Sequence, residues 1–235
     1  MSQGAHADDE DRAAAEAAVR MVEHDLRRRG INDPPVLEAM ARVPRHRFVP
    51  EVPVAQAYAD SALPTGEGQT ISQPYIVARM TQLLCVAPGL RVLEVGAGSG
   101  YQAAVLAVLG ADVISVERSP ALAQRAREAL AVILPGLEPV GADRLGRVEI
   151  VTGDGTLGHA DAAPYDRILV TAGAPALPPA YRRQLADPGL IVIPIGDRQQ
   201  QQLIIIQQRQ GQLVRSRDTG CRFVPLVGEA GWGEQ

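Results

Sequence analysis

From Arg91 onward, short apolar runs alternate with segments of helical periodicity, and this alternation limits the fold more than any other feature of the sequence. The run RVLEV leads through a glycine turn into a helical segment that stops at Gly110, and the same alternation continues downstream. Strands joined by helices predict a parallel sheet covered on both faces. The last two apolar runs flank Gly211 and predict a hairpin, so we expect an α/β fold whose mostly parallel, doubly wound sheet has an antiparallel C-terminal edge.

The residues that precede this sheet divide into helices and a long polar segment. Residues 9–29 favour a helix, with acidic residues at its start, arginines at its end and Gly30 as a C-terminal cap. A second, short helix follows with Asp33 as its N-cap, and residues 75–86 return to helical periodicity. The intervening residues, from 44 to 74, are rich in proline and glycine. An irregular segment of this length in a compact domain is usually functional.

Composition excludes several classes of function. All 23 basic residues are arginine, which excludes a Walker A lysine, a Schiff-base lysine and a lysine general base. The net charge of −4 gives no global attraction to nucleic acid. Apolar runs fall short of the roughly 20 residues that span a bilayer, and the acidic N-terminus lacks the pattern of a secretory signal. We therefore expect a cytoplasmic protein that binds neither nucleic acid nor membrane.

The cysteines and histidines give no sign of a metal centre. Cys85 and Cys221 form neither a disulfide framework nor a zinc pattern, which favours a reducing compartment. The four histidines are scattered without ligand spacing: His6, His24, His46 and His159. No metal is expected.

A glycine turn follows the first strand of the predicted sheet. Gly96, Gly98 and Gly100, with Ala97 and Ser99 between them, form G-x-G-x-G between a strand and a helix. Glycine lets the backbone turn tightly and approach a ligand without a Cβ in the way. The sixth position of the dinucleotide pattern is a tyrosine here, so the turn does not predict a pyrophosphate cradle. Taken alone it is a weak signal, because a simple turn would look the same.

The next two strand ends strengthen that signal. Glu117 ends the second strand, with Arg118 after it, and can accept hydrogen bonds from both hydroxyls of a ribose. The third strand ends in Gly153–Gly155, where the glycines let an adenine approach, and where the Asp154 carboxylate or a neighbouring amide can meet its amino group. Together these groups predict a nucleoside ligand without a diphosphate, such as S-adenosylmethionine. Glu94, inside the first strand, is a further candidate that orients the turn or faces the ammonium group of the ligand.

These motifs resemble those of the protein-L-isoaspartate O-methyltransferase family. VLEVGAGSGYQAAVLA, VISVE and VTGDG are similar to its cofactor motifs, which other methyltransferases share. More specific are ARVPRHRFVP, AYADSALPTGEGQTISQPYIVARMTQLL and the C-terminal RFVPLV. The resemblance extends from Ile31 to Gly228, and LPGLEPVGADRLG (residues 134–146) departs from it as an insertion.

The resemblance implies a Rossmann-like methyltransferase fold, S-adenosyl-L-methionine as cofactor, and isoaspartyl proteins and peptides as substrates. It implies that the GQTISQP loop holds the isoaspartyl residue, with Ser72 as the active-site serine. Its neighbours would contribute further contacts, and the C-terminal segment would form the other wall of a peptide cleft. The implied substrate-binding residues are Gln69, Thr70, Ile71, Ser72, Gln73, Phe223, Val224, Pro225 and Leu226.

The chain is then expected to be a monomer with a single catalytic domain, residues 9–228. Residues 9–90 supply the N-terminal helices and the substrate loop, and residues 91–228 form the core. Residues 1–8 are expected to be a disordered tail, and residues 229–235 a second tail. Trp232 in this second tail could cap the cleft or be loose, and we expect it to be loose.

The implied reaction fits the chemistry of the residues. An isoaspartyl α-carboxylate is already ionised at neutral pH, so its methylation needs no general base. The loop accordingly offers no histidine or lysine. Three alternatives remain open at this stage: a small-molecule methyltransferase, an aspartate O-methyltransferase of a modified-peptide pathway, and a nucleoside-binding protein without enzymatic activity.

Overall fold

A computed structural model describes the backbone of residues 2–233 and the side chains of residues 9–233. The side chains of residues 1–8, for which a disordered tail was predicted, lie outside this description. Residues 234 and 235 lie outside it as well. Among the described residues, no helix has the length and apolar character needed to cross a membrane.

The N-terminal region is helical, as the sequence predicted. Helix α1 (Ser2–Arg20) continues through a π-helical segment, Met21–Leu26, and a 3₁₀ turn that ends at Gly30. Gly30 has a φ of 88°, which glycine adopts without strain, and this confirms the predicted cap. In α2 (Pro34–Arg42), the Asp33 carboxylate accepts a hydrogen bond from the Val36 N–H at 3.3 Å, which confirms the predicted N-cap.

The segment between residues 44 and 74 is more regular than predicted. It contains a 3₁₀ turn (Arg45–Phe48), α3 (Val54–Ala57) and an antiparallel pair of short strands, β1 (Leu63–Gly66) and β2 (Gln69–Ile71). Three consecutive residues with positive φ, Gly66 to Gly68, turn this hairpin. The prediction of a wholly irregular loop was wrong because pairing between strands of three or four residues leaves almost no local pattern in the sequence.

A seven-stranded sheet forms the centre of the molecule in the order β5-β4-β3-β6-β7-β8-β9. Helix α4 (Pro74–Leu84) leads into it. The elements that follow are β3 (Arg91–Val95), α5 (Tyr101–Val108), β4 (Asp112–Glu117), α6 (Pro120–Ile133), β5 (Val148–Thr152), β6 (Tyr165–Val170), α7 (Pro179–Gln184), β7 (Leu185–Gly196), β8 (Gln201–Arg209) and β9 (Gln212–Cys221). The first five strands in this order are parallel, and β8 and β9 pair antiparallel. This confirms the predicted fold class.

The two faces of the sheet bury different layers of side chains. Val92 packs with α1, α2, α4 and α5 in one core, whereas the adjacent Leu93 and Val95 pack with α7 in the other. Such alternation is what a strand of period two requires when both its faces are covered. Helix α5 is buried along its whole length, so the glycine turn before it is held firmly in place.

The predicted insertion, residues 134–146, packs against the helices on the first face. Val140 is buried, and the Arg42 guanidinium donates to the Pro139 carbonyl at 3.0 Å. A Cβ at Gly146 would collide with the backbone of Ala111. No residue of this segment lines the cavity described below.

Candidate active site

A cavity of roughly 460 Å³ opens at the carboxyl ends of β3, β4 and β6. The β1–β2 hairpin lies on one side of it, and the segment that follows β9 lies on another. Ligand sites of open α/β sheets lie at this edge, and the volume is that of a small-molecule pocket. The cavity therefore combines the predicted nucleoside edge with the predicted substrate loop.

The glycine turn forms the floor of the cavity. Gly96 and Gly98 line it and have φ values of 98° and 53°, in the left-handed region. A Cβ at Gly96 would collide with the Thr171 hydroxyl, which donates to the Gly96 carbonyl at 2.7 Å. Ala97 and Ser99 also line the cavity, whereas Gly100 lies behind it, packed against α6.

Glu117 holds the turn and faces the cavity. One carboxylate oxygen accepts from the Gly98 N–H and the other from the Ser119 N–H, both at 2.9 Å. Each oxygen keeps a second lone pair, so the side chain can still accept from a diol such as a ribose. Arg118 lines the cavity beside it. The positions of both residues agree with the proposed cofactor role.

Glu94 does not line the cavity. It is fully buried in β3, where one carboxylate oxygen accepts from the Ser115 hydroxyl at 2.5 Å and the other has no hydrogen-bond partner. Burial raises the pKa of Glu94 to about 8, against the effect of the Ser115 hydroxyl, and the charge of Glu117 adds to the increase. Glu94 is therefore mostly protonated at neutral pH, and its contact with a cofactor stays a prediction.

Asp154 and Gly153 also lie outside the cavity, whereas Gly155 lines it. One oxygen of Asp154 accepts from the N–H and the hydroxyl of Thr156, and the other accepts from the Glu229 N–H at 2.8 Å. Partial burial works to raise its pKa, but these donors outweigh burial and hold the pKa below its ordinary value. In this arrangement the carboxylate binds the protein's own chain.

Strand β2 and the residue after it contribute to the cavity wall through Gln69, Thr70, Ile71 and Ser72. Their contacts with a substrate stay a prediction. Gln73 turns away, and its amide donates to Asp60 at 3.2 Å. Asp60 also accepts from the Tyr75 N–H at 2.9 Å and forms an ion pair with Arg29. The segment just after Ser72 is thereby attached to the N-terminal helices.

Arg45 holds the other side of the same segment. It is fully buried and donates to the Ser72 carbonyl and the Ala57 carbonyl, each at 2.7 Å. Its guanidinium lies 4.9 Å from the ring of Tyr101, which lines the cavity. Burial lowers the pKa of Arg45, against the favourable electrostatic interaction with Tyr101. A buried cation costs several kcal/mol unless its donors are satisfied, so these carbonyls matter to the position of the loop.

The C-terminal segment forms the opposite wall. Val224, Pro225, Leu226 and Val227 line the cavity, whereas Phe223 is buried behind it and its N–H donates to Gln201. Val227 extends the wall beyond the prediction. The tail after it is described through Gly233 and is attached to the sheet, so the expectation that Trp232 is loose was wrong: its indole N–H donates to the Gly173 carbonyl at 2.9 Å.

Comparison with known proteins identifies the group to which this architecture belongs. The family model described as Protein-L-isoaspartate(D-aspartate) O-methyltransferase (PCMT) matches residues 17–231. The chain belongs to this family. Proteins named protein-L-isoaspartate O-methyltransferase from Methanoregula boonei and Geobacter metallireducens are 51% and 50% identical to it over 213 and 222 residues. These alignments cover 91% and 93% of this chain, and 94% and 97% of the relatives.

Solved structures of the family have the same fold. One protein-L-isoaspartate O-methyltransferase superposes with a TM-score of 0.78 at 28% identity, over 91% of this chain and 67% of that chain. A Plasmodium falciparum member, solved in complex with S-adenosyl-L-homocysteine, has a TM-score of 0.75 at 28% identity, over 88% of this chain and 96% of that chain. The predicted family and fold are confirmed.

Several residues of the family site were missed by sequence reasoning. The cavity wall includes apolar and small side chains from α4 and the end of β6, among them Met80, Thr171 and Ala172. Arg45 and Asp60 lie within two of the three family-specific motifs, but a motif does not indicate which of its polar residues is buried. Nothing in the sequence singles out Arg45, since Arg47 lies two positions on in the same proline-bounded segment and is exposed.

Proposed function

We propose that this chain is a repair methyltransferase that transfers a methyl group from S-adenosyl-L-methionine to the free α-carboxyl of L-isoaspartyl residues in damaged proteins and peptides. One observation carries the proposal. A single cavity places the glycine turn and Glu117 opposite a hydroxyl-bearing hairpin and a wall of extended main chain, Val224–Val227. A cofactor nucleoside and a kinked peptide backbone can occupy such a cavity together.

The residues present fit the cofactor. Glu117 keeps acceptor capacity for a ribose, and Gly96 and Gly98 leave no Cβ between the backbone and the ligand. When bound, S-adenosyl-L-methionine supplies a methyl group on a sulfonium, an electrophile that needs no metal or redox partner. Its nucleoside would lie against Glu117, and its sulfonium end would face the hairpin.

The protein's contribution to the reaction is positioning. The substrate carboxylate is ionised at neutral pH, so no side chain has to remove a proton. The Ser72 hydroxyl would donate to one carboxylate oxygen and leave the other directed at the methyl group, with the reacting atoms about 3 Å apart. Methyl transfer neutralises two opposite charges, so a full ion pair to the carboxylate would stabilise the ground state more than the transition state. A neutral donor at Ser72 avoids that loss.

Cavity walls that exclude water complete the mechanism. Met80, Val116 and Leu226 line the cavity and lower its local polarity, which favours a step in which charge disappears. The methyl ester then closes to a succinimide when the amide nitrogen of the isoaspartyl linkage attacks the ester carbonyl and displaces methanol. Hydrolysis of the succinimide returns part of the product as normal aspartate. We further propose that the enzyme acts in the cytoplasm as a monomer, without nucleic-acid or membrane contact, in keeping with its net charge of −4.

A labelled-methyl assay tests the proposal. The protein is incubated with methyl-labelled S-adenosyl-L-methionine and two peptides of identical sequence, one with an aspartyl and one with an isoaspartyl linkage. We expect label on the isoaspartyl peptide alone. Label on both peptides would favour an aspartate methyltransferase of a modified-peptide pathway, and label on neither would refute the repair activity.

A further inference from the structure

The tail after the cavity wall is bound at both of its ends. We call Val224–Val227 the substrate wall and Gly228–Gly233 the C-terminal strap. At the distal end of the strap, the Trp232 N–H donates to the Leu226 carbonyl at 2.7 Å, and its indole N–H donates to Gly173. The Arg198 guanidinium lies 5.0 Å from the Trp232 ring and donates to the Gly233 carbonyl at 3.2 Å.

Gly173 also holds the substrate wall itself. Its N–H donates to the Val224 carbonyl and its carbonyl accepts from the Leu226 N–H, both at 2.8 Å. The indole of Trp232 therefore binds the same carbonyl that fixes the middle of the wall. A shift of Trp232 would release one of two donors from that oxygen and would move the wall relative to the end of β6.

The proximal end of the strap is attached to the cofactor edge of the cavity. The Glu229 N–H donates to the Asp154 carboxylate at 2.8 Å, and the Ala230 N–H donates to the Thr156 hydroxyl at 3.0 Å. A Cβ at Gly228 would collide with the Asp154 carboxylate, so the strap approaches this loop closely. Between Asp154 and Thr156 lies Gly155, which lines the cavity.

We propose that Trp232 is a positioning residue that sets the substrate wall for the isoaspartyl main chain, with Asp154 as the second anchor of the strap. The inference rests on the proposed function, because it assigns the wall to substrate binding. A main chain is recognised by N–H and C=O groups that have to lie within about 0.5 Å of their productive positions. The strap supplies that precision, while the cofactor is held by the glycine turn and Glu117.

The test is Trp232→Phe, which keeps an aromatic ring beside Arg198 and removes one N–H donor. A neutral hydrogen bond of this kind corresponds to a change of roughly 3- to 10-fold. We expect KM for an isoaspartyl peptide to rise by that factor, while kcat and the affinity for S-adenosylhomocysteine stay within twofold. The matched control is Tyr165→Phe, which removes an aromatic donor from the His159 carbonyl at the opposite edge of the sheet. It should leave the peptide KM unchanged.

A second measurement uses the unaltered protein. Trp232 is the single tryptophan of the chain, so its emission reports on the strap. With S-adenosylhomocysteine present, we expect an isoaspartyl peptide to shift this emission and the aspartyl peptide to leave it unchanged. The inference is overturned if Trp232→Phe folds with an unaltered peptide KM, if Tyr165→Phe raises that KM equally, or if the emission does not respond. Wild-type protein that fails to methylate the isoaspartyl peptide would instead refute the proposed function and, with it, this inference.

Discussion

Glu117→Gln is the change that most directly tests how the cofactor edge is built. The substitution keeps the shape of the side chain and removes its charge. In the wild type the two oxygens each accept a backbone N–H at 2.9 Å, from Gly98 and Ser119. A glutamine has one oxygen to offer, so its amide group would face the N–H of the other residue, donor against donor.

The magnitude follows from these contacts. A hydrogen bond to a charged acceptor is worth about 1.5–3 kcal/mol, and the variant loses one to the backbone and weakens those available to a ribose. Relief from burying a charge offsets part of this loss, since Glu117 is only 8% exposed. A net loss of about 1–2 kcal/mol in cofactor binding is expected, which is roughly 5- to 30-fold in Kd.

Calorimetric titration with S-adenosyl-L-methionine measures this loss directly. The matched control is Glu149→Gln, an exposed carboxylate on the adjacent strand β5, which should bind the cofactor as the wild type does. Far-ultraviolet circular dichroism confirms that both variants are folded. An affinity within twofold of wild type for folded Glu117→Gln would refute the assignment of this carboxylate to the cofactor.

Three further outcomes are expected. Ser72→Ala should lower kcat/KM for an isoaspartyl peptide about 10- to 100-fold, because a hydrogen bond to a charged group is lost, while the cofactor affinity measured by calorimetry stays unchanged. Substitution of the exposed Ser216 by alanine is the control. A kcat/KM of Ser72→Ala equal to that of the wild type would remove Ser72 from the site. Arg45→Lys replaces a planar fork, whose Nε and Nη2 reach two separate carbonyls, with one compact ammonium that cannot reproduce this geometry. Tm and kcat/KM should both fall, the latter roughly tenfold, and wild-type values for both would contradict the role of Arg45 in holding the loop. The pKa of Glu94 in the folded protein is about 8, above its ordinary value of 4.5. The protonated side chain therefore contributes a free energy of unfolding that is fully present below pH 4.5 and is lost as the pH rises through 8. The Tm of Glu94→Gln relative to wild type should therefore increase from pH 5 to 8 and level off above it, and a constant difference across that range would show that Glu94 does not titrate there.

The sequence by itself determined the sheet, the family and the edge of the sheet at which the cavity opens. The strands, the helices and the caps at Asp33 and Gly30 were predictable because each depends on residues that lie within a few positions of each other in the sequence. The glycine turn and Glu117 were also readable, because parallel strands bring their carboxyl ends to one edge whatever the rest of the chain does. These features depend on local chemistry or on topology that the alternation of elements dictates.

Only the tertiary structure decided how the substrate side is held. Arg45 binds the carbonyl of Ser72, 27 positions away, and the indole of Trp232 binds Gly173, 59 positions away. Asp154 was predicted to meet the adenine of the cofactor, and that contact stays a prediction; in the structure Asp154 lies outside the cavity and its carboxylate binds the strap through Glu229. Buried polar groups take whichever partners the folded chain brings to them, and that choice depends on packing between distant segments, which no local pattern records.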